Sequence, residues 1–165
     1  MALIAIAATS AVFPALKAHG HKGDHGAVRA LHDRTHRSIC FVALPACAGL
    51  FALALPVITV SFEHGDFNAG DSARTAGALR MLALAIVPVG ASGLVARTYY
   101  ALGDFKTPVR VSCVMLLLNV VLNVVFIKGL GMDADGLALG TAATSWIGLV
   151  ALLPGLTRKL ALPAS

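Results

Sequence analysis

The chain has 165 residues, of which 58% are apolar and 13% charged, with a formal net charge of +5. Soluble domains run at about 45–50% apolar and about 25% charged residues. These figures and a mean hydropathy of +0.82 therefore exclude an ordinary soluble enzyme, a disordered tail and a nucleic-acid-binding domain. Five runs (2–16, 38–62, 81–96, 111–127 and 136–157) contain no Asp, Glu, Lys or Arg. Such segregation is expected where a bilayer is the solvent and a spanning helix needs roughly 20 mostly apolar residues. The predicted fold class is all-α: a polytopic transmembrane helix bundle of five spans forming one membrane domain, with no room for a soluble catalytic domain.

Span one covers about residues 2–18. Its uncharged part is only about 23 Å long at 1.5 Å per residue, short of a hydrocarbon core of about 30 Å. No basic region precedes it, so it reads as a spanning helix cut short at its start rather than as a signal peptide. Residues 17–37 form a polar, basic loop, with Gly20, Gly23 and Gly26 weakening helix in its first half. In its second half Val28, Leu31, Thr35 and Ile39 recur at helical intervals. This predicts an amphipathic helix over 27–39, lying on the membrane surface and running into span two.

Span two is about 38–62 and contains Pro45 and Pro56, each a source of a kink. Asp71 or Ser72 can cap the helix after the loop EHGDFNAGD. Span three is about 72–102, kinked at Pro88, with Arg80 and Arg97 placed to snorkel to opposite interfaces and Tyr99 and Tyr100 at one of them. The turn GDFKTP leads to span four, about 108–128, which carries Asn119 and Asn123 in its apolar run. Span five, about 136–157, is rich in Gly, Ala, Ser and Thr, a composition that lets helices approach closely.

Ten of the thirteen Lys and Arg residues fall in 17–37, 97–110 and 158–159, and three (Arg74, Arg80 and Lys128) fall on the other side. The positive-inside rule then places the N-terminus outside and the C-terminus in the cytoplasm. An outside N-terminus without a cleavable signal is an awkward start, so the chain reads as the later part of something longer.

Several polar groups are candidates for function. Asn119 and Asn123 share a helix face at i and i+4, and amides inside hydrocarbon need partners. Thr141 on span five is the expected neighbour, and the group would serve as an interhelical polar contact or as oxygens for a monovalent cation. Arg97, Lys106 and Arg110 are placed to meet a lipid headgroup phosphate, which Arg binds bidentately, or simply to anchor the chain. His32, His36 and Cys40 lie four apart on one face, but the spacing matches no structural zinc pattern. A cationic loop near anionic headgroups is the plainer reading, and no metal site is predicted. The chain has no Walker loop, GxSxG, HExxH or CxxC, so no enzyme activity and no cofactor are expected beyond that cation.

The stretches LPACAGLFALALPVITVSFEHGDFNAGDSARTAGALR, ARTYYALGDFKTPVRVS and NVVLNVVFI resemble the MurJ (MviN) family of lipid II flippases, in the multidrug/oligosaccharidyl-lipid/polysaccharide exporter superfamily. The most specific pieces are the aromatic-Tyr-Ala-Leu-Gly-Asp pattern from Tyr99 to Val109 and the F-x-x-G-x-F loop from Phe62 to Phe67. The resemblance implies a two-lobed flippase of the bacterial cytoplasmic (inner) membrane, with this chain matching roughly the eighth through twelfth of some fourteen spans. It implies lipid II as the cargo, the bilayer as surroundings, and the first lobe and final helices as missing partners, with no nucleic acid. In such a protein the essential arginines come largely from the first lobe and the tail groove from the last helices, so the chain is expected to be inactive alone. The resemblance further implies a cation site in this lobe, although relatives can carry an acid where Asn123 stands. The alternatives are a small structural or assembly membrane protein and an ion or metal transporter using the histidine loop.

Overall fold

The computed structural model describes residues 2–64, 67–129, 131–132 and 134–161, with side chains from Thr9 onward. The elements are α1 (Ala2–His21), α2 (His25–Phe62), α3 (Ala69–Ala83), α4 (Ile86–Ala101), α5 (Lys106–Val124), a π-helical turn (Val125–Gly129) and α6 (Ala134–Ala161). No strand occurs among the described residues. Since α3 and α4 are halves of one run, the bundle has five helical columns. Four of them, His25–Phe62, Ala69–Ala101, Lys106–Gly129 and Ala134–Ala161, are long and apolar enough to cross a membrane. The fifth, α1, packs against α4 and α2.

The helices are built on three apolar clusters. Ala91, Val95 and Tyr99 of α4 meet Leu149, Leu152 and Leu156 of α6. Leu16 of α1, Val28 and Ile39 of α2, and Leu94 and Ala101 of α4 form a second cluster. The third joins Ala54 and Ile58 of α2 to Ala76 of α3. In contrast, α5 packs chiefly on α6, and Pro108 is its one buried residue. Its Val114, Leu116, Leu117, Val120 and Val121 are all exposed, as suits a helix bathed in acyl chains.

Three expectations change. First, the loop predicted over 17–37 shrinks to the few residues between α1 and α2, because α1 stays helical to His21 despite Gly20. That glycine is there for a close approach: a Cβ on it would overlap the Ala101 carbonyl oxygen. The chain turns at Gly23 (φ +68°), and Asp24 caps α2 by accepting from the Ala27 N–H at 2.9 Å.

Second, the amphipathic segment 27–39 does not lie apart on the membrane surface. It is the first part of α2, and the stripe Val28, His32, Thr35 and Ile39 is buried against protein. Leu31 packs against the same cluster. At 1.5 Å per residue the 38-residue helix is about 57 Å long, so a basic section extends beyond a hydrocarbon core of about 30 Å.

Third, span three is broken rather than merely kinked, and the break falls at Leu84–Ala85, before Pro88. A proline ring clashes with the carbonyl four residues earlier and offers it no N–H, and that carbonyl belongs to Leu84. Arg80, expected to snorkel, instead donates from Nε to the Phe51 carbonyl of α2 at 3.3 Å.

Tyr99 is fully buried, and its hydroxyl donates to the Leu152 carbonyl at 2.9 Å. The ring fits because Gly155 has no side chain, and a Cβ there would overlap the tyrosine oxygen. Gly155→Ala should therefore destabilise the bundle by about 1–3 kcal/mol, the usual cost of overpacking. Gly49, in α2, has open space at its Cβ position, so Gly49→Ala should be neutral or stabilise by about 0.5–1 kcal/mol. Thermal unfolding of both variants in one detergent checks the contrast.

Candidate functional site

The turn between α4 and α5 shows why its residues have these types. Gly103 has φ +78°, a conformation glycine adopts without steric cost. Asp104 then caps α5: Oδ1 accepts from the N–H groups of Lys106 at 3.1 Å and Thr107 at 3.0 Å, and Oδ2 accepts from the Thr107 hydroxyl at 2.7 Å. Phe105 stacks on Tyr100 with centroids 5.3 Å apart. Pro108 sits in the first turn of α5, where a missing N–H costs nothing. Lys159, at the end of α6, reaches Asp104 with Nζ 2.9 Å from Oδ2. That bond, with further bonds from Thr107, outweighs partial burial and holds the Asp104 carboxyl well below the usual carboxylate range.

At the α5–α6 contact, Asn123 Nδ2 donates to Asn119 Oδ1 at 3.1 Å, and Asn119 Nδ2 donates to Thr144 Oγ1 at 3.1 Å. The Thr144 hydroxyl donates in turn to the Gly140 carbonyl at 2.8 Å. The amides thus face protein, but the threonine that meets them is Thr144 and not Thr141. Thr141 is exposed and bonds back to Leu137 of its own helix at 3.0 Å. Helix phase explains this. Gly136, Gly140, Thr144 and Gly148 lie four apart and are all buried, whereas Thr141 is one residue, about 100°, off that face. Asn123 Oδ1 lies where a Cβ of residue 140 would be, and it has no hydrogen-bond partner. The other two side-chain oxygens each already accept a bond. Asn119, Asn123 and Thr144 thus form a ladder of amide and hydroxyl hydrogen bonds between α5 and α6.

The three candidate headgroup cations lie on two helices, Arg97 on α4 and Lys106 and Arg110 on α5. Arg97 donates to Thr9 and Ser10 of α1, from Nη1 and Nη2 respectively. Lys106 and Arg110 are exposed at the start of α5, which packs on α6 and α4. None of the ion pairs among the described residues includes Arg97.

On α2 the His32 and His36 rings stack 6.1 Å apart, with Cys40 Sγ 3.9 Å from His36. No group of three potential ligands that could hold a metal occurs among the described residues. The Thr98 hydroxyl donates to the Leu94 carbonyl at 3.0 Å. Its single proton is thereby used, and His32 Nδ1 donates to Thr98 at 2.8 Å. This α2–α4 bond carries no sequence signal, since its partners lie 66 residues apart.

A family model described as "Lipid II flippase MurJ" matches residues 1–165. The chain belongs to that family. It is 30% identical over 159 residues to the probable lipid II flippase MurJ of Bdellovibrio bacteriovorus, covering 96% of this chain and 30% of the relative. It is 29% identical over 157 residues to that of Vibrio cholerae, covering 94% and 29%. A solved structure, "Lipid II flippase MurJ, inward closed conformation", superposes with a TM-score of 0.78 at 25% identity over 96% of this chain and 34% of that one. The chain thus spans less than a third of the length of these two MurJ relatives.

The ladder predicts an asymmetry between two threonines. Thr144→Val leaves the Asn119 amide without its acceptor and should cost about 0.6–2 kcal/mol, the range for interhelical hydrogen bonds in membranes. Thr141→Val should cost almost nothing. Unfolding of both variants in the same detergent tests this.

The Asp104 link predicts a pH dependence. A carboxyl whose folded pKa is depressed contributes stability above its unfolded value of about 3.9 and loses it as pH falls below that. Asp104→Asn should therefore lower stability at neutral pH by about 0.5–1 kcal/mol, given the exposure of the lysine. The gap from the unsubstituted chain should close as the pH is taken below about 4, read by thermal unfolding across a pH series.

Proposed function

We propose that these helices form part of one lobe of a lipid II flippase of the bacterial cytoplasmic membrane, with the N-terminus outside and the C-terminus in the cytoplasm. The task is transport and not catalysis: a charged headgroup passes through a cavity between two lobes while its tail stays in lipid. The observation that supports this most directly is the match of the whole chain, residues 1–165, to the lipid II flippase family. On this reading Arg97 holds a positive charge at a fixed place, because Thr9 and Ser10 neutralise none of it. Lys106 and Arg110 open α5 toward headgroup phosphates. The Asn119–Asn123–Thr144 ladder fixes α5 to α6. A monovalent cation at that point would take Asn123 Oδ1 and need further oxygens from outside the ladder.

Complementation tests the reading. In a bacterium depleted of its own flippase, a full-length relative carrying this chain in place of its matching stretch should restore growth. The 165 residues alone should not, since a two-lobed pathway needs both walls. A well-expressed chimera that fails to rescue, or a short form that succeeds, counts against the proposal. In the rescuing chimera with native cysteines replaced, a cysteine at Asn68 should label from outside intact cells and one at Lys22 should not. The reverse pattern overturns the orientation.

A further inference from the structure

The halves of span three enter different apolar clusters, while α2 and α6 each pack on both halves. On α3, Ala76 belongs to the cluster with Ala54 and Ile58 of α2, and Leu79 packs against it. On α4, Ala91, Val95 and Tyr99 belong to the cluster with α6, and Leu94 and Ala101 to the cluster with α1 and α2. None of the three clusters contains residues from both sides of the break. At the break the chain tightens: Leu84 N–H donates to the Met81 carbonyl at 3.2 Å, and Ala85 N–H to Leu82 at 3.0 Å, before the α4 ladder resumes with Val89 N–H to Ala85 at 3.0 Å. The first two bonds reach back three residues, as in a 3₁₀ turn.

The Leu84 carbonyl is the one Pro88 leaves without a helical donor. It does not go unmet, because Trp146 Nε1 of α6 donates to it at 3.2 Å. Helix α6 packs on both α3 and α4, so the indole is fixed to an element that touches both halves. Trp146 keeps 45% of its surface exposed, which leaves room for the ring to move.

We propose that the Leu84–Ala85 break is a hinge within the membrane bundle and that Trp146 is its latch. Bending there changes the angle between α3 and α4 while each half keeps its own apolar cluster. The indole bond holds the angle seen here, and its release lets α3 tilt relative to α4. The inference rests on this geometry and is independent of what the protein transports.

Trp146 is the only tryptophan in the chain, so its indole can be read without interference. In lipid vesicles that hold no other protein, with Cys40, Cys47 and Cys113 replaced by Ser, spin labels on cysteines at Thr75 and Ala96 report the distance across the break. Trp146→Phe keeps a ring but has no N–H, and it should broaden the distance distribution. Pro88→Ala returns a helical donor to the Leu84 carbonyl. It should lengthen the distance and move the ultraviolet resonance Raman band of the indole N–H to its unbonded position. A distribution unchanged by Trp146→Phe overturns the latch. Distance and indole band both unchanged in Pro88→Ala overturn the hinge. Should Trp146→Phe lose its helical circular dichroism, the Pro88→Ala measurements decide alone, since alanine favours helix at that position.

Discussion

A carbonyl inside a bilayer has no water to turn to, so each one a proline releases must be met by protein. That constraint organises the middle of this bundle. Pro88 frees the Leu84 carbonyl and Trp146 meets it. Arg80 and the Tyr99 hydroxyl likewise donate across helices, to the carbonyls of Phe51 and Leu152, which are not the carbonyls that Pro56 and Pro154 free. These donors come from neighbouring helices. The interruption at Pro88, which would weaken an isolated helix, thus becomes a place where helices are tied together.

The two sides of the bundle are held differently. Around α4, three helices meet in buried clusters, and the ends are joined by polar contacts: His25 Nδ1 to the Lys159 carbonyl at 3.1 Å, and Lys159 to Asp104. Helix α5 has almost no buried apolar surface of its own. Its attachment to α6 relies on the notches at Gly140 and Gly148 and on the amide ladder, so a few polar atoms set its register. The chain covers only part of the length of its MurJ relatives, and α5 is the element whose faces are most open to whatever adjoins it.

Much of this was legible in the sequence, for physical reasons that also mark where reading stops. Four long apolar helical columns were legible because charged residues are excluded from hydrocarbon. The pairing of Asn119 with Asn123 followed from helical spacing, since it is set within one helix. Their partner did not: choosing Thr144 over Thr141 required following the phase of Gly136, Gly140 and Gly148. Periodicity correctly grouped Val28, Thr35 and Ile39 on one face. It did not say whether that face meets lipid or protein, because an apolar stripe looks the same against either. The motif around Gly103 and Asp104 could be recognised, but its tie to Lys159 depends on a fold that brings α6 alongside. Trp146 had no signal at all, since its acceptor is a backbone carbonyl on another helix.

The length of α2 has a bearing on depth. Its section from Arg29 to Arg37 carries exposed arginines on the same continuous helical rod as an uncharged stretch of 25 residues from Ser38 to Phe62. Sliding that rod inward would drag guanidinium groups into acyl chains, and sliding it outward would wet Phe41 and Leu44, both well exposed on its side. Because α1, α3, α4 and α6 all pack against it, α2 sets the immersion of the whole bundle. A bilayer of different thickness is then accommodated by tilt or by deformation of the lipid, each costing fractions of a kcal/mol per ångström of mismatch, and not by vertical slippage of one helix past another.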